Sequence, residues 1–318
     1  MLGSFLDATL DRTVVGGYSN LGYRLRRSWW READLAPMTG KTVLVTGASS
    51  GLGLAAAEGF ARLGAELWLL ARDPQRGENA RAKVAEQSGG EVHLELCDLG
   101  DLGSVRDFAQ RFTAAAPGLD VLVNNAGVMT AQRAQSADGI ELTFAVNVLA
   151  PFLLTALLLE PLRHAAPSRI INVSSGGMYT QRLRADDLQS ERDEFDGTAA
   201  YARSKRAEVI LTAMWARRLQ DSGVAVHAMH PGWVDTPGVR NSLPRFYRLT
   251  RPLLRTPAQG ADTIVWLGAA PQATVGTGDF WQDRARRPPY LWPGTRETQA
   301  DRERLWRECE ELTDSPRA

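Results

Sequence analysis

The chain has 318 residues, 44% of them hydrophobic, and a formal net charge of zero at pH 7. That balance argues against a nucleic-acid partner, which would call for a basic surface, and the length leaves room for one large domain or two small ones. Two cysteines (Cys97, Cys309) and four scattered histidines (His93, His164, His227, His230) exclude a disulfide framework and show no metal-ligand spacing, so no metal is expected and a reducing, cytoplasmic location is.

The opening "MLGSFLDATLDRT" lacks a basic start and carries acids where a signal peptide needs an apolar run. Residues 18–35, "YSNLGYRLRRSWWREADL", are basic and aromatic. Residues 1–38 are expected to form an extension that packs on the sheet edge as a helix or rests on a membrane surface. From Lys41, β-branched runs alternate with helical patterns. "TVLVTG" (42–47), "AELWLLAR" (65–72), "EVHLELCDL" (91–99) and "LDVLVNNAG" (119–127) predict strands. Between them, residues 51–64, 76–87 and 104–115 predict helices. "VLAPFLLTALLLEPL" (148–162) is too short to span a bilayer and reads as a buried helix. "SRIINVSS" (168–175) and "VAVHAMHPG" (224–232) are later strands. Such alternation implies βαβ units and a parallel sheet covered on both faces. Residues 295–314 predict an amphipathic helix with Leu305, Trp306, Cys309 and Leu312 on one stripe, for packing or for a dimer face.

Three patterns carry chemistry. Between the first strand and the first helix stands Thr46-Gly47-Ala48-Ser49-Ser50-Gly51-Leu52-Gly53. Glycines there permit a tight turn, and the helix N-terminus offers unpaired N–H groups to a pyrophosphate. The second strand ends with Ala71 at its tip, followed by Arg72. An acid at the tip would accept the ribose hydroxyls of NAD, whereas a guanidinium pairs with the 2′-phosphate of NADP. "YARSK" sets Tyr201 and Lys205 at i and i+4, on one helix face. An ammonium one turn away favours the phenolate, which a lone tyrosine does not reach at neutral pH. "RIINVSS" ends a strand with Ser174 and Ser175 on opposite faces, so one of the two hydroxyls reaches the cleft and parity alone leaves open which. Tyr179, four residues beyond, lacks a lysine at i+4, where Leu183 stands; it is expected to line a substrate pocket rather than to act as catalyst.

With its TGxxxGxG spacing, "NNAG", "NVSS", YxxxK and "PGWVDT", the chain from Lys41 to about Asp283 resembles the short-chain dehydrogenase/reductase family. The polar insert with "DLQSE" is similar to the branch that contains the retinol dehydrogenases. The resemblance implies an α/β fold: a single Rossmann-type, doubly wound parallel sheet of about seven strands, in a catalytic domain over residues 39–290, with a C-terminal extension at 291–318. It implies NADP(H) as cofactor, held by Thr46, Gly47, Ser49, Ser50, Gly51, Leu52 and Gly53 at the turn and by Arg72 at the 2′-phosphate. Asp98 and Leu99 would meet the adenine, and Asn125, Ala126 and Gly127 would line the cleft. Pro231, Gly232, Val234 and Thr236 would stand at the nicotinamide. The same resemblance makes Ser175 the oxygen-holding serine, with Ser174 packed beside it. Tyr201 becomes the acid/base and Lys205 its partner and ribose ligand. Asn147 would hold a water that relays protons to the lysine, or else bond a neighbouring helix. The implied activity is NADP(H)-dependent hydride transfer between a carbonyl and an alcohol, on an apolar or lipid-like small molecule. The alternatives are a cofactor-binding regulator without turnover and a protein that binds lipid surfaces. Residues 238–256 mix Leu243, Phe246 and Leu249 with Arg240, Arg245, Arg248, Arg251 and Arg255. They are expected to form a substrate lid, with contact to anionic lipid as the other possibility. The chain is expected to be a monomer or a homodimer.

Overall fold

The computed structural model describes residues 13–31, 34–271 and 276–315. Its centre is set by strand β1 (Thr42–Thr46), whose Val43, Leu44 and Val45 are all fully buried. Alternation sends Val43 and Val45 into one apolar layer and Leu44 into the other. A strand buried on both faces belongs in a sheet covered on both sides.

Around β1 lie β2 (Glu66–Ala71), β3 (Val92–Leu96), β4 (Val121–Asn124), β5 (Ser168–Val173), β6 (Val224–Met229), β7 (Phe280–Gln282) and β8 (Ala285–Arg286). Their order is β3-β2-β1-β4-β5-β6-β7-β8, parallel through β7, with β8 antiparallel. Among the described residues the sheet therefore has eight strands, the seven parallel ones and one more. The extra one is a two-residue return after Asp283 and Arg284, too short to leave a periodic signal.

The helices α1 (Val14–Tyr18) and α2 (Asn20–Arg27) precede the sheet. One face carries α3 (Gly51–Arg62), and α4 (Pro74–Ala85) lies beside it. The other carries α5 (Leu102–Ala115) and the composite helix α6, which runs Leu142–Phe144, makes a π-helical turn at Ala145–Leu149 and continues through Ala150–Leu157. After α7 (Leu159–His164), the long α8 (Gly197–Arg218) packs beside α6. The short α9 (Pro237–Ser242) and α10 (Pro244–Thr250) lead to α11 (Pro257–Ala269), which covers the first face with α3. Thr256 and Gln259 close a capping box at the start of α11, satisfying two helix-end donors at once. Each fully buried Leu, Val or Phe in the two layers contributes roughly 1.5–3 kcal/mol.

Both extensions are built into the fold. In α12 (Gln299–Thr313), Leu305, Trp306 and Cys309 are buried. The Trp306 ring meets Trp215 of α8 at 4.8 Å and Phe152 of α6 at 4.9 Å, so the C-terminal stripe is packing. The N-terminal helices sit at the carboxyl ends of β6 and β7 rather than on an edge strand. Buried Arg26 donates to Asp283, just past β7, at 2.7 Å. Arg255 is buried against the same carboxylate, so it is not available for the lipid contact that was the alternative to a lid for residues 238–256.

Candidate active site

All seven parallel strands deliver their carboxyl ends to one edge, and a cleft of about 1100 Å³ opens there. That exceeds the roughly 300–1,000 Å³ of ordinary small-molecule sites.

At one end the turn after β1 is fixed by contact. Gly47 has φ +64, and a Cβ on it would sit 3.0 Å from the Cα of Ala126. A Cβ on Gly53 would fall 2.4 Å from the carbonyl oxygen of Gly47 and 2.5 Å from Nδ2 of Asn125. Glycine is what lets α3 seat its N-terminus against the strand, leaving its first N–H groups toward the cleft. Asn125 donates through Nδ2 to the Thr46 carbonyl at 2.8 Å, and Thr46 Oγ1 accepts the N–H groups of Asn125 and Ala126 at 2.9 and 3.0 Å. These bonds tie β1 to β4 at the cleft floor. Thr46 and Gly53 act from behind the wall, whereas Gly47, Ser49, Ser50, Gly51 and Leu52 line it.

Beyond the tip of β2, exposed Arg72 lines the same end. Asp73 borders this end too, and its carboxylate caps α4, accepting the Arg76 N–H at 2.8 Å. Arg76 lines the cleft as well, and its Nη2 donates to Ser50 Oγ at 3.2 Å. The site thus presents two guanidiniums where the sequence pointed to one; Arg76 lies in the first turn of α4, four residues after Arg72 in the chain. Asp98 and Leu99 line the next stretch, with Asp98 Oδ1 accepting the Gly100 N–H at 2.9 Å. A dinucleotide fits this arrangement: close-packed glycines, a free helix N-terminus and a basic rim follow one another along a single cleft.

Midway lie the groups that can move a proton. Tyr201 and Lys205 project from α8, and Ser175 follows β5. Bonding distinguishes the two serines that border the cleft. Ser174 Oγ is buried and donates to the Lys205 carbonyl at 2.8 Å, while Ser175 is half-buried and its Oγ accepts the Gly177 N–H at 3.2 Å. Lys205 Nζ lies 5.7 Å from the Tyr201 ring centroid and donates to the Val173 carbonyl at 3.0 Å. It also donates at 2.7 Å to Glu208, a buried carboxylate that sequence reading passed over although it stands at i+3 on the same helix. Burial pushes the Lys205 ammonium toward neutrality, but Glu208 and Tyr201 outweigh it, and the net direction is upward. Burial raises the Glu208 carboxyl to about 7 against the pull of the ammonium.

Asn147 lies in the π-helical turn, fully buried and behind the wall. Its Oδ1 accepts the Val128 N–H at 2.8 Å, and its Nδ2 donates to the Val128 carbonyl at 3.0 Å and to Ser204 Oγ at 2.9 Å. The side chain thus bonds both α8 and the segment that follows β4.

The far end, past Pro231, Gly232, Val234 and Thr236, is apolar. Tyr179 lines it, its hydroxyl donating to the Pro288 carbonyl at 2.7 Å. Leu243 and Phe246 reach it from the lid, whereas Leu249 is 80% exposed. The third residue missed by the sequence is Tyr18, which lines this end from the N-terminal extension. No local pattern could have placed it there.

A family model described as short chain dehydrogenase matches residues 41–245. The dehydrogenase/reductase SDR family member 12 of Bos taurus is 42% identical over 301 residues, covering 93% of each chain. Retinol dehydrogenase 12 of Mus musculus is 38% identical over 278 residues, covering 86% of each. The solved structure of a short chain dehydrogenase from Burkholderia cenocepacia in complex with NADP superposes with a TM-score of 0.63 at 26% identity, over 78% of this chain and 100% of that one.

Proposed function

Because the chain belongs to the short-chain dehydrogenase family, and is therefore an oxidoreductase acting on CH–OH groups, we propose that it interconverts an apolar carbonyl and its alcohol with NADP(H). The observation that carries this is the convergence of Ser175, Tyr201 and Lys205 on one cleft with the glycine turn and two arginines.

A bound nicotinamide dinucleotide supplies the hydride donor or acceptor. Gly47, Ser49, Ser50, Gly51 and Leu52 hold its pyrophosphate, and Arg72 with Arg76 reads the 2′-phosphate. Asp98 and Leu99 meet the adenine, and Pro231, Gly232, Val234 and Thr236 meet the nicotinamide. Tyr201 gives a proton to the substrate oxygen in reduction and takes it in oxidation. Ser175 donates to that oxygen where charge develops. Lys205 brings positive charge beside the phenol, and Asn147 fixes the α6 turn against α8. The apolar lining past Ser175 favours an apolar substrate, and the named activity of the mouse retinol dehydrogenase points the same way. NADP in the Burkholderia structure supports the choice of dinucleotide.

The test is a panel of apolar ketones and aldehydes with NADPH and with NADH. Turnover favouring NADPH is expected. Tyr201→Phe should lower kcat by at least about a hundredfold, the scale of a lost general acid, with dinucleotide affinity unchanged. Activity retained in that variant would sink the mechanism.

A further inference from the structure

The N-terminal extension enters the cleft. Tyr18, at the end of α1, meets His230 in a tilted contact, 4.8 Å between ring centroids and 34° between planes, and stacks on Trp233 at 6.1 Å and 20°. Trp233 in turn meets Phe246 of the lid edge-on at 5.3 Å. The Tyr18 ring edge lies over Gly176, the residue after Ser175: a Cβ built on Gly176 would sit 2.7 Å from Cε1 of Tyr18. Three residues far apart in sequence thus line one aromatic wall beside the oxygen-holding serine. His230 behind it is buried, and burial pushes its imidazole down to about 3, so the wall is uncharged at neutral pH.

Backbone bonds hold the ring in place. The Tyr18 carbonyl accepts the Trp233 N–H at 2.8 Å and Arg255 Nε at 3.0 Å. The Gly17 carbonyl accepts Arg26 Nη1 and Arg255 Nη2, each at 3.0 Å. Both guanidiniums converge on Asp283.

We propose that the N-terminal segment is a wall of the substrate subsite, and that Tyr18 with Trp233 and Phe246 selects flat, apolar carbonyl compounds, aromatic or conjugated, over small aliphatic ones. This rests on the oxidoreductase reading above and adds the substrate class and the residue that sets it. Flat faces gain from offset stacking on such rings, and a compact aliphatic ketone does not.

The experiment compares wild type, Tyr18→Ala and Tyr18→Phe on 2-acetylnaphthalene and on butanone. Turnover is followed with NADPH, and equilibrium binding of each ketone is measured by calorimetry with NADP⁺ present. Tyr18→Ala should lower both kcat/KM and affinity for the flat ketone about tenfold, the worth of one aromatic contact. The loss on butanone should be several-fold smaller, dinucleotide affinity should stay unchanged, and Tyr18→Phe, which keeps the ring, should keep the preference for the flat ketone. Equal losses on both ketones, or none on either, would overturn the proposal, as would absence of binding of the flat ketone to wild type. Binding that depends on Tyr18 without any turnover would sustain the subsite and overturn the catalytic reading instead.

Discussion

Single residues divide here into those a spacing rule exposes and those it does not. Tyr201 and Lys205 are legible because one helical turn separates them. Glu208 obeys the same geometry, yet its role follows from burial, which no spacing discloses. With Nζ at 2.7 Å, Glu208 offsets the positive charge that Lys205 presents to Tyr201 whenever the carboxyl is ionised. Since that carboxyl is raised to about 7, the offset grows as pH rises through neutrality. Glu208→Gln keeps the shape and removes the charge. Its pH profile for alcohol oxidation should rise at lower pH than that of wild type and lose the ionisation near 7. A profile superposing on wild type would show that Glu208 does not reach the reacting groups. At the dinucleotide end, Arg72→Asp should raise KM for NADPH at least about tenfold while sparing NADH, because a charge-assisted hydrogen bond is worth about 1.5–3 kcal/mol. If only Arg76→Ala changes that preference, the second arginine reads the phosphate.

At the scale of elements, the alternating strands and helices were readable because each strand from β1 to β6 is bounded by turn residues and followed by a longer periodic helix. The π-helical turn in α6 was not: it reflects a change of backbone hydrogen-bond register around Asn147, and composition does not encode register. Nor was the seat of α1 and α2, which depends on ion pairs spanning 257 and 28 residues. Asp283 accepts from Arg255 Nη1 and Nη2 at 2.5 and 2.9 Å and from Arg26 Nη1 at 2.7 Å, and all three side chains are buried. Asp283→Asn would leave two buried guanidiniums facing a neutral amide, which costs roughly 3–5 kcal/mol for a broken buried pair. Asparagine tolerates the backbone there, φ 51, so strain does not confuse the result. A lowered urea midpoint is expected, with faster amide exchange in α1 and α2. Unchanged exchange in those helices would mean that other contacts hold them.

For the whole molecule, buried groups of two kinds make stability depend on pH in opposite directions. His227 and His230 are pushed down to about 4 and about 3 from an ordinary 6.5, in each case chiefly by burial. His227 Nδ1 accepts Trp281 Nε1–H at 3.2 Å, and His230 Nδ1 accepts the Gly232 N–H at 3.2 Å, so both rings are held neutral by bonds that protonation would break. The unfolded chain binds protons at these rings first. Their contribution is therefore full above pH 6.5 and is lost as pH falls through about 4 and then about 3. Glu208 runs the other way: raised from 4.5 to about 7, it contributes fully below 4.5 and loses that contribution as pH rises through 7. Urea midpoints should thus fall on acidification from pH 6.5, and His230→Asn should flatten that slope, while Glu208→Gln should remove the opposing decline that Glu208 causes as pH rises from 4.5 to 7. Both histidines lie under the Tyr18 wall or the adjoining strand β7, so the same acid titration should release the N-terminal helices from the cleft before the β1–β5 core unfolds. Amide exchange followed from pH 6.5 down to pH 3 reads this directly: protection lost together in α1, α2 and β1 would show that the wall has no stability of its own to lose.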